Sequence, residues 1–161
     1  MDTEGMRIDE LEDTLNRLKS TNTPAKLIYV SPSFHNPTGI TMTVKRRIEL
    51  LQVASRYDVL ILEDTAYNEL YFGEQLHPTI GALSQGRFVI TAGTFSKVIA
   101  PGLRVGWLQA CPELIETIMP VRFDMGNSPL LHRMIYEFMA AGELAIHLAK
   151  MRTIYHSKMI V

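Results

Sequence analysis

The sequence predicts an α/β fold, a mainly parallel sheet flanked by helices, and three observations point there. Apolar runs of strand length recur at Leu27-Ile28-Tyr29-Val30, Val59-Leu60-Ile61-Leu62-Glu63 and Phe88-Val89-Ile90-Thr91-Ala92-Gly93. Helical spacing flanks the first run on both sides. Each run ends in a loop carrying polar residues, and open α/β sheets bind their ligands at the carboxyl ends of their strands.

Taken in order, Ile8, Leu11, Leu15 and Leu18 recur on one face of a first helix, which Pro24 ends. After the first strand comes a loop with Asn36-Pro37-Thr38-Gly39, then a second helix whose inward face reads Val44, Ile48, Leu51 and Ser55. Thr41 or Thr43 caps it, and its Tyr57-Asp58 end leads straight into the second strand. That β-α-β order favours a right-handed parallel crossover. The second strand delivers Asp64, with Tyr67 three residues on, and the third ends at Thr94-Phe95-Ser96-Lys97. A further strand returns from Arg104 to Gln109, followed by a short helix from Pro112 to Met119. Two more helices run from Pro129 to Ala141 and from Glu143 onward, broken at Gly142. The last carries Leu144, Leu148, Met151 and Tyr155 on one face and shows no glycine or proline stop, so the chain is expected to be one piece of a larger domain.

Composition bounds the function. At 161 residues, 47% hydrophobic and with a net charge of -1, the chain can bury one sizeable core, hiding roughly 70% of its unfolded surface if compact. No basic run suggests nucleic acid, and scattered Lys and Arg read as solvated faces. A single cysteine, Cys111, leaves no internal disulfide and reads as structural. No apolar stretch reaches the ~18 residues that span a bilayer, and Met1-Asp2-Thr3-Glu4 is acidic where a signal peptide is basic, so the cytoplasm is the expected compartment. His35, His77, His132, His147 and His156 include no pair at metal-ligand helical spacing, and no metal site is expected. Trp107 and the nine methionines read as packing.

Lys97 carries the chemistry. A lysine in a small-residue loop after a strand can form a Schiff base with an aldehyde cofactor, while neighbouring hydroxyls and Arg104 hold a phosphate. Pyridoxal phosphate combines those two needs. The segments Asn36 to Thr41, Glu63-Asp64-Thr65-Ala66-Tyr67 and Thr94 to Gly106 resemble the class I/II aminotransferases of pyridoxal-phosphate fold type I. They look most like the branch holding 2-aminoadipate aminotransferases and the aminotransferase-like domains of certain bacterial regulators.

The resemblance covers nearly the whole chain and implies the central part of the family's large, cofactor-binding domain, residues 1–161, without its N-terminal part or the small domain. It implies roles for each site residue. Asp64 keeps a proton on the pyridine nitrogen, so that the ring acts as an electron sink. Asn36 and Tyr67 donate to the cofactor's phenolate oxygen. Lys97 holds the cofactor and then shuttles a proton. Arg104 offers the phosphate a bidentate fork, and Thr94 and Ser96 add hydroxyls. Members often carry serine where Thr94 stands, a departure that keeps the hydroxyl.

The function so implied is transfer of an amino group from an amino acid to a 2-oxo acid, in a homodimer of the full-length parent. A lyase or decarboxylase using the same constellation, a cofactor-sensing domain of a transcriptional regulator, and a non-catalytic fragment are the alternatives.

Overall fold

The computed structural model describes residues 1–73, 76–123 and 126–159. Four strands, β1 (Leu27–Val30), β2 (Leu60–Asp64), β3 (Val89–Thr94) and β4 (Gly106–Gln109), lie side by side in that order. The first three run parallel and β4 turns back antiparallel on β3, so the sheet is mixed around the predicted parallel part. Val59 stays outside β2 and Phe88, with φ 59, outside β3, which shifts both predicted starts by one residue. Arg104 likewise has φ 53, a left-handed turn that a strand cannot contain, so β4 starts at Gly106.

Helix α1 (Ile8–Ser20) buries Leu15 and packs Ile8 and Leu11 against the core, as its spacing predicts. It stops before Pro24. The Thr21 N–H donates to the Arg17 carbonyl at 3.1 Å and Asn22 takes φ 56, so the chain has already left the helix. Helix α2 (Val44–Tyr57) makes the crossover from β1 to β2. Thr43 caps it by accepting from the Arg46 N–H at 3.2 Å, while Thr41 accepts from the Phe34 N–H inside the loop.

The predicted inward face of α2 is wrong by one position. Arg47, Leu50, Val53 and Ala54 are buried, whereas Ile48 and Ser55 are exposed. A cation sits on the inward face because its donors are satisfied there. Arg47 gives Nε to the Met42 carbonyl, Nη1 to the Pro78 carbonyl, and Nη2 to the Pro32 carbonyl and Ser33 Oγ, at 2.9 to 3.1 Å. Burial pushes the guanidinium's pKa down, and the buried Glu63 carboxylate opposes that shift.

Under α1 and α2 the core gathers Ile28, Val30, Ile61 and Val89, all from one face of the sheet. Glu63 lies on that face with no exposure, accepting from Ile80 N–H, Gly81 N–H and Thr91 Oγ1. The donors at 80 and 81 open a four-residue helix, α3 (Ile80–Leu83), to which the sequence analysis assigns no element. Beyond β4 come α4 (Pro112–Ile118), α5 (Pro129–Ala140) and α6 (Glu143–Met159), with Gly142 at φ 77 making the predicted break. In α6 Leu148 is buried and Leu144 and Met151 are half-buried, but Tyr155 is exposed. Among the described residues no helix is long and apolar enough to cross a membrane.

Replacing Arg47 by methionine keeps the apolar stem and removes four hydrogen bonds, and of the acceptors the Pro32 carbonyl keeps the Met42 N–H. The expected destabilisation is about 3–5 kcal/mol, the usual cost of removing one member of a buried charged set, read as a lower urea midpoint.

Candidate active site

Because side chains alternate along a strand, the face opposite the core carries Tyr29, Leu62, Asp64 and Ala92. Asp64 closes β2. Its Oδ1 accepts from the Ala66 N–H at 2.9 Å and its Oδ2 from the Tyr29 hydroxyl at 2.7 Å. Accepting carboxylate and partial burial push the Tyr29 phenol up to about 12.

The turn after Asp64 is tied to β3, since Thr65 donates both its N–H and its hydroxyl to the Ala92 carbonyl. A 3-10 turn follows at Asn68–Leu70. That tie sets Tyr67 next to the loop beyond β3, where Lys97 Nζ stands 6.0 Å from the centre of its ring. Lys97 itself is exposed.

The lysine loop is held by its other members. Phe95 N–H donates to the Val105 carbonyl, and the Ile99 and Ala100 N–H groups fold back on the Phe95 carbonyl. Thr94 Oγ1 donates to Ser96 Oγ at 3.0 Å and accepts from the Ser96 N–H at 3.1 Å. Val98 is buried, and its carbonyl lies 2.8 Å from His147 Nε2 on α6. A carbonyl only accepts, so that nitrogen carries the hydrogen.

The structure thus joins Tyr67 to Lys97 and Thr94 to Ser96. Among the described residues no hydrogen bond or ion pair links Asn36 or Arg104 to them. Asn36 sits exposed in the turn after β1, held in shape by His35 and Thr38, and among the described residues its side chain makes no hydrogen bond. Arg104 is exposed and gives Nη1 to the Pro101 carbonyl at 3.4 Å, at the long limit for such a bond. Tyr29 was read only as a strand residue. The signal that could have found it is its place at an outward position of β1, but that needs the register of β1 on β2.

A cavity of about 890 Å³ opens on the other side of the sheet, among Thr91, Gly93, Trp107, Ile135 and Leu148, and the buried Asn68, whose Oδ1 has no partner, lines it too. Thr94 lines it as well, whereas Asp64, Tyr67 and Lys97 lie outside its lining.

Comparison with known proteins agrees with the geometry. The family description "Aminotransferase class I and II" matches residues 1–158, and the chain belongs to that family. Aromatic-amino-acid aminotransferase 1 of Thermococcus litoralis is 39% identical over 158 residues, covering 96% of this chain and 38% of that protein. The kynurenine aminotransferase of Pyrococcus horikoshii, solved in complex with PMP, superposes with a TM-score of 0.88 at 37% identity, over 98% of this chain and 39% of that one. LysN, the alpha-aminoadipate aminotransferase of Thermus thermophilus, superposes at 0.83 with 33% identity, over 98% and 40%. The HTH-type transcriptional regulator NorG of Staphylococcus aureus is 31% identical over 154 residues, 94% of this chain and 34% of the regulator. The chain therefore spans between 34% and 40% of the lengths of these relatives. Members of the family use pyridoxal phosphate.

Gly93 precedes Thr94 on β3 and pairs with Trp107, whose ring lies where a Cβ would stand, at 2.2 Å. Gly93→Ala is expected to push that ring, 42% exposed and the chain's single tryptophan, further into water. A red shift of its fluorescence checks this; an unchanged spectrum contradicts it.

Proposed function

We propose that the protein carrying this chain is a pyridoxal-phosphate-dependent aminotransferase that moves an amino group from an amino acid to a 2-oxo acid. The observation that carries this reading is the Lys97 amine over the Tyr67 ring beside the strand end bearing Asp64. The donor set fits the cofactor. An acid, a phenol, a free amide, an amine, two hydroxyls and a guanidinium lie in the loops at the carboxyl ends of adjacent parallel strands and just beyond, where such sheets bind ligands.

When bound, pyridoxal phosphate supplies an aldehyde for an amine and a ring that draws electrons from the amino-acid Cα. Asp64 holds a proton at the ring nitrogen. Asn36 and Tyr67 donate to the phenolic oxygen, Asn36 with an amide that has no competing hydrogen bond among the described residues. Thr94, Ser96 and Arg104 hold the phosphate, the hydroxyls already facing each other at 3.0 Å. Lys97 would hold the aldehyde carbon and, as a free amine, would move a proton at the substrate Cα. On this reading the full protein works as a cytoplasmic homodimer with amino-acid and 2-oxo-acid substrates.

Likeness to NorG supports a second reading, a cofactor-sensing domain of a transcriptional regulator. Both readings need the same lysine, so turnover separates them. Transfer of an amino group to a 2-oxo acid supports the enzyme; cofactor binding with no transfer supports the sensor; release of carbon dioxide from the amino acid marks a decarboxylase.

Two variants test the residue roles. After addition of cofactor and borohydride, the label is expected on Lys97 and is lost in Lys97→Ala. Label spread evenly over exposed lysines such as Lys19 and Lys150, unchanged by that substitution, sinks the assignment. Asp64→Ala is expected to keep the covalent link but to slow half-transamination roughly a thousandfold, about 4 kcal/mol of lost transition-state stabilisation. A near-wild-type rate removes Asp64 from the role.

A further inference from the structure

Tyr29 has no part in the chemistry assigned above, yet its hydroxyl reaches Asp64 across 35 residues of sequence. The parallel register places Tyr29 opposite Leu62, so Asp64, two residues further, points to the same face. A phenol is long enough to span that diagonal. The two carboxylate oxygens then each hold one fixed donor, Ala66 N–H on Oδ1 and the Tyr29 hydroxyl on Oδ2. Both contacts are charge-assisted, the stronger class of hydrogen bond. They set the plane of the carboxylate, whose terminal torsion is otherwise broad and roughly two-fold.

We propose that Tyr29 is a positioning residue for Asp64, holding its carboxylate in the orientation that keeps a proton on the ring nitrogen of the cofactor. This rests on the reading of Asp64 given above. Tyr29 suits the task because its phenol is pushed up to about 12 and remains a donor throughout the neutral range. Asp64 and Tyr67 face it, and His35 lines the same small cavity. Its folded pKa lies above the ordinary 10.0, so the bond's contribution to stability is complete below pH 10.0 and is lost as the pH rises through about 12.

Nitrogen-15 NMR of ¹⁵N-labelled pyridoxal phosphate bound to the protein reads the ring proton without turnover. In Tyr29→Phe the resonance is expected between the wild-type position and that of Asp64→Ala, displaced toward neutral pyridine. A wild-type resonance in Tyr29→Phe beside a displaced one in Asp64→Ala overturns the positioning role and leaves Asp64 standing. No displacement in either variant overturns both. If Tyr29→Phe does not retain cofactor, ultraviolet titration of the cofactor-free chain decides, with the Tyr29 contribution taken from the wild-type minus Tyr29→Phe difference. A tyrosine titrating near 12 that falls toward 10.0 in Asp64→Asn supports the proposal, and one that does not move overturns it.

Discussion

One inward carboxylate sets the frame for everything the site does. Glu63 and Asp64 are consecutive residues of β2 with opposite fates, since the period of two sends one into the core and the other to the open face. A fully buried carboxylate is tolerable only when hydrogen-bonded, and Glu63 has three donors, two from the start of α3 and one from Thr91 on the neighbouring strand. Gly81 makes that approach possible, because a Cβ there would lie 2.3 Å from Thr91 Oγ1. A slip of one residue in β2 would expel Glu63 from its donors and turn Asp64 inward. The structural acid therefore fixes the register that aims Asp64, the acid proposed to meet the cofactor.

Arg47 plays the matching part for the first loop. Its four bonds tie α2 to Pro32, Ser33, Met42 and Pro78, which pins both ends of the loop that carries Asn36 and the segment entering α3. Two buried charges thus clamp the connections between elements, while aliphatic side chains fill the core under α1 and α2. The functional face is left free of such demands. Tyr29, 58% exposed, packs little and can serve a neighbouring residue.

This division explains what could be read in the sequence. Strand existence, the crossover helix, the break at Gly142 and the loop bearing Lys97 follow from local patterns of apolar spacing and turn residues, and all of them stand. The inward face of α2 was not legible, because apolar counting puts Ile48 inside and has no means of placing a satisfied arginine there. Helix α3 escaped for a related reason: a helix of four residues has no periodicity, and it exists to present N–H groups to Glu63. The link from Tyr29 to Asp64 depends on strand register, which the residues between them do not encode locally. The neighbours Tyr67 and Lys97 were identified singly, but only the fold of the 65–68 turn onto Ala92 brings them to 6.0 Å.

The lysine loop shows how an exposed, changeable side chain can sit on a fixed backbone. A lysine that first holds a group and then gives it up must exchange partners, so its own side chain cannot be locked. Its carrier must be, because small errors in placement are costly in rate. Around Lys97 the load falls on the flanking residues. Val98 fills the core and gives its carbonyl to His147, Thr94 and Ser96 bond to each other, and Phe95 bonds to Val105 at the approach to β4. Helix α6 thereby reaches the loop through one imidazole and the Tyr67 turn through Arg152, which stacks on Tyr71 and donates Nε to the Glu69 carbonyl.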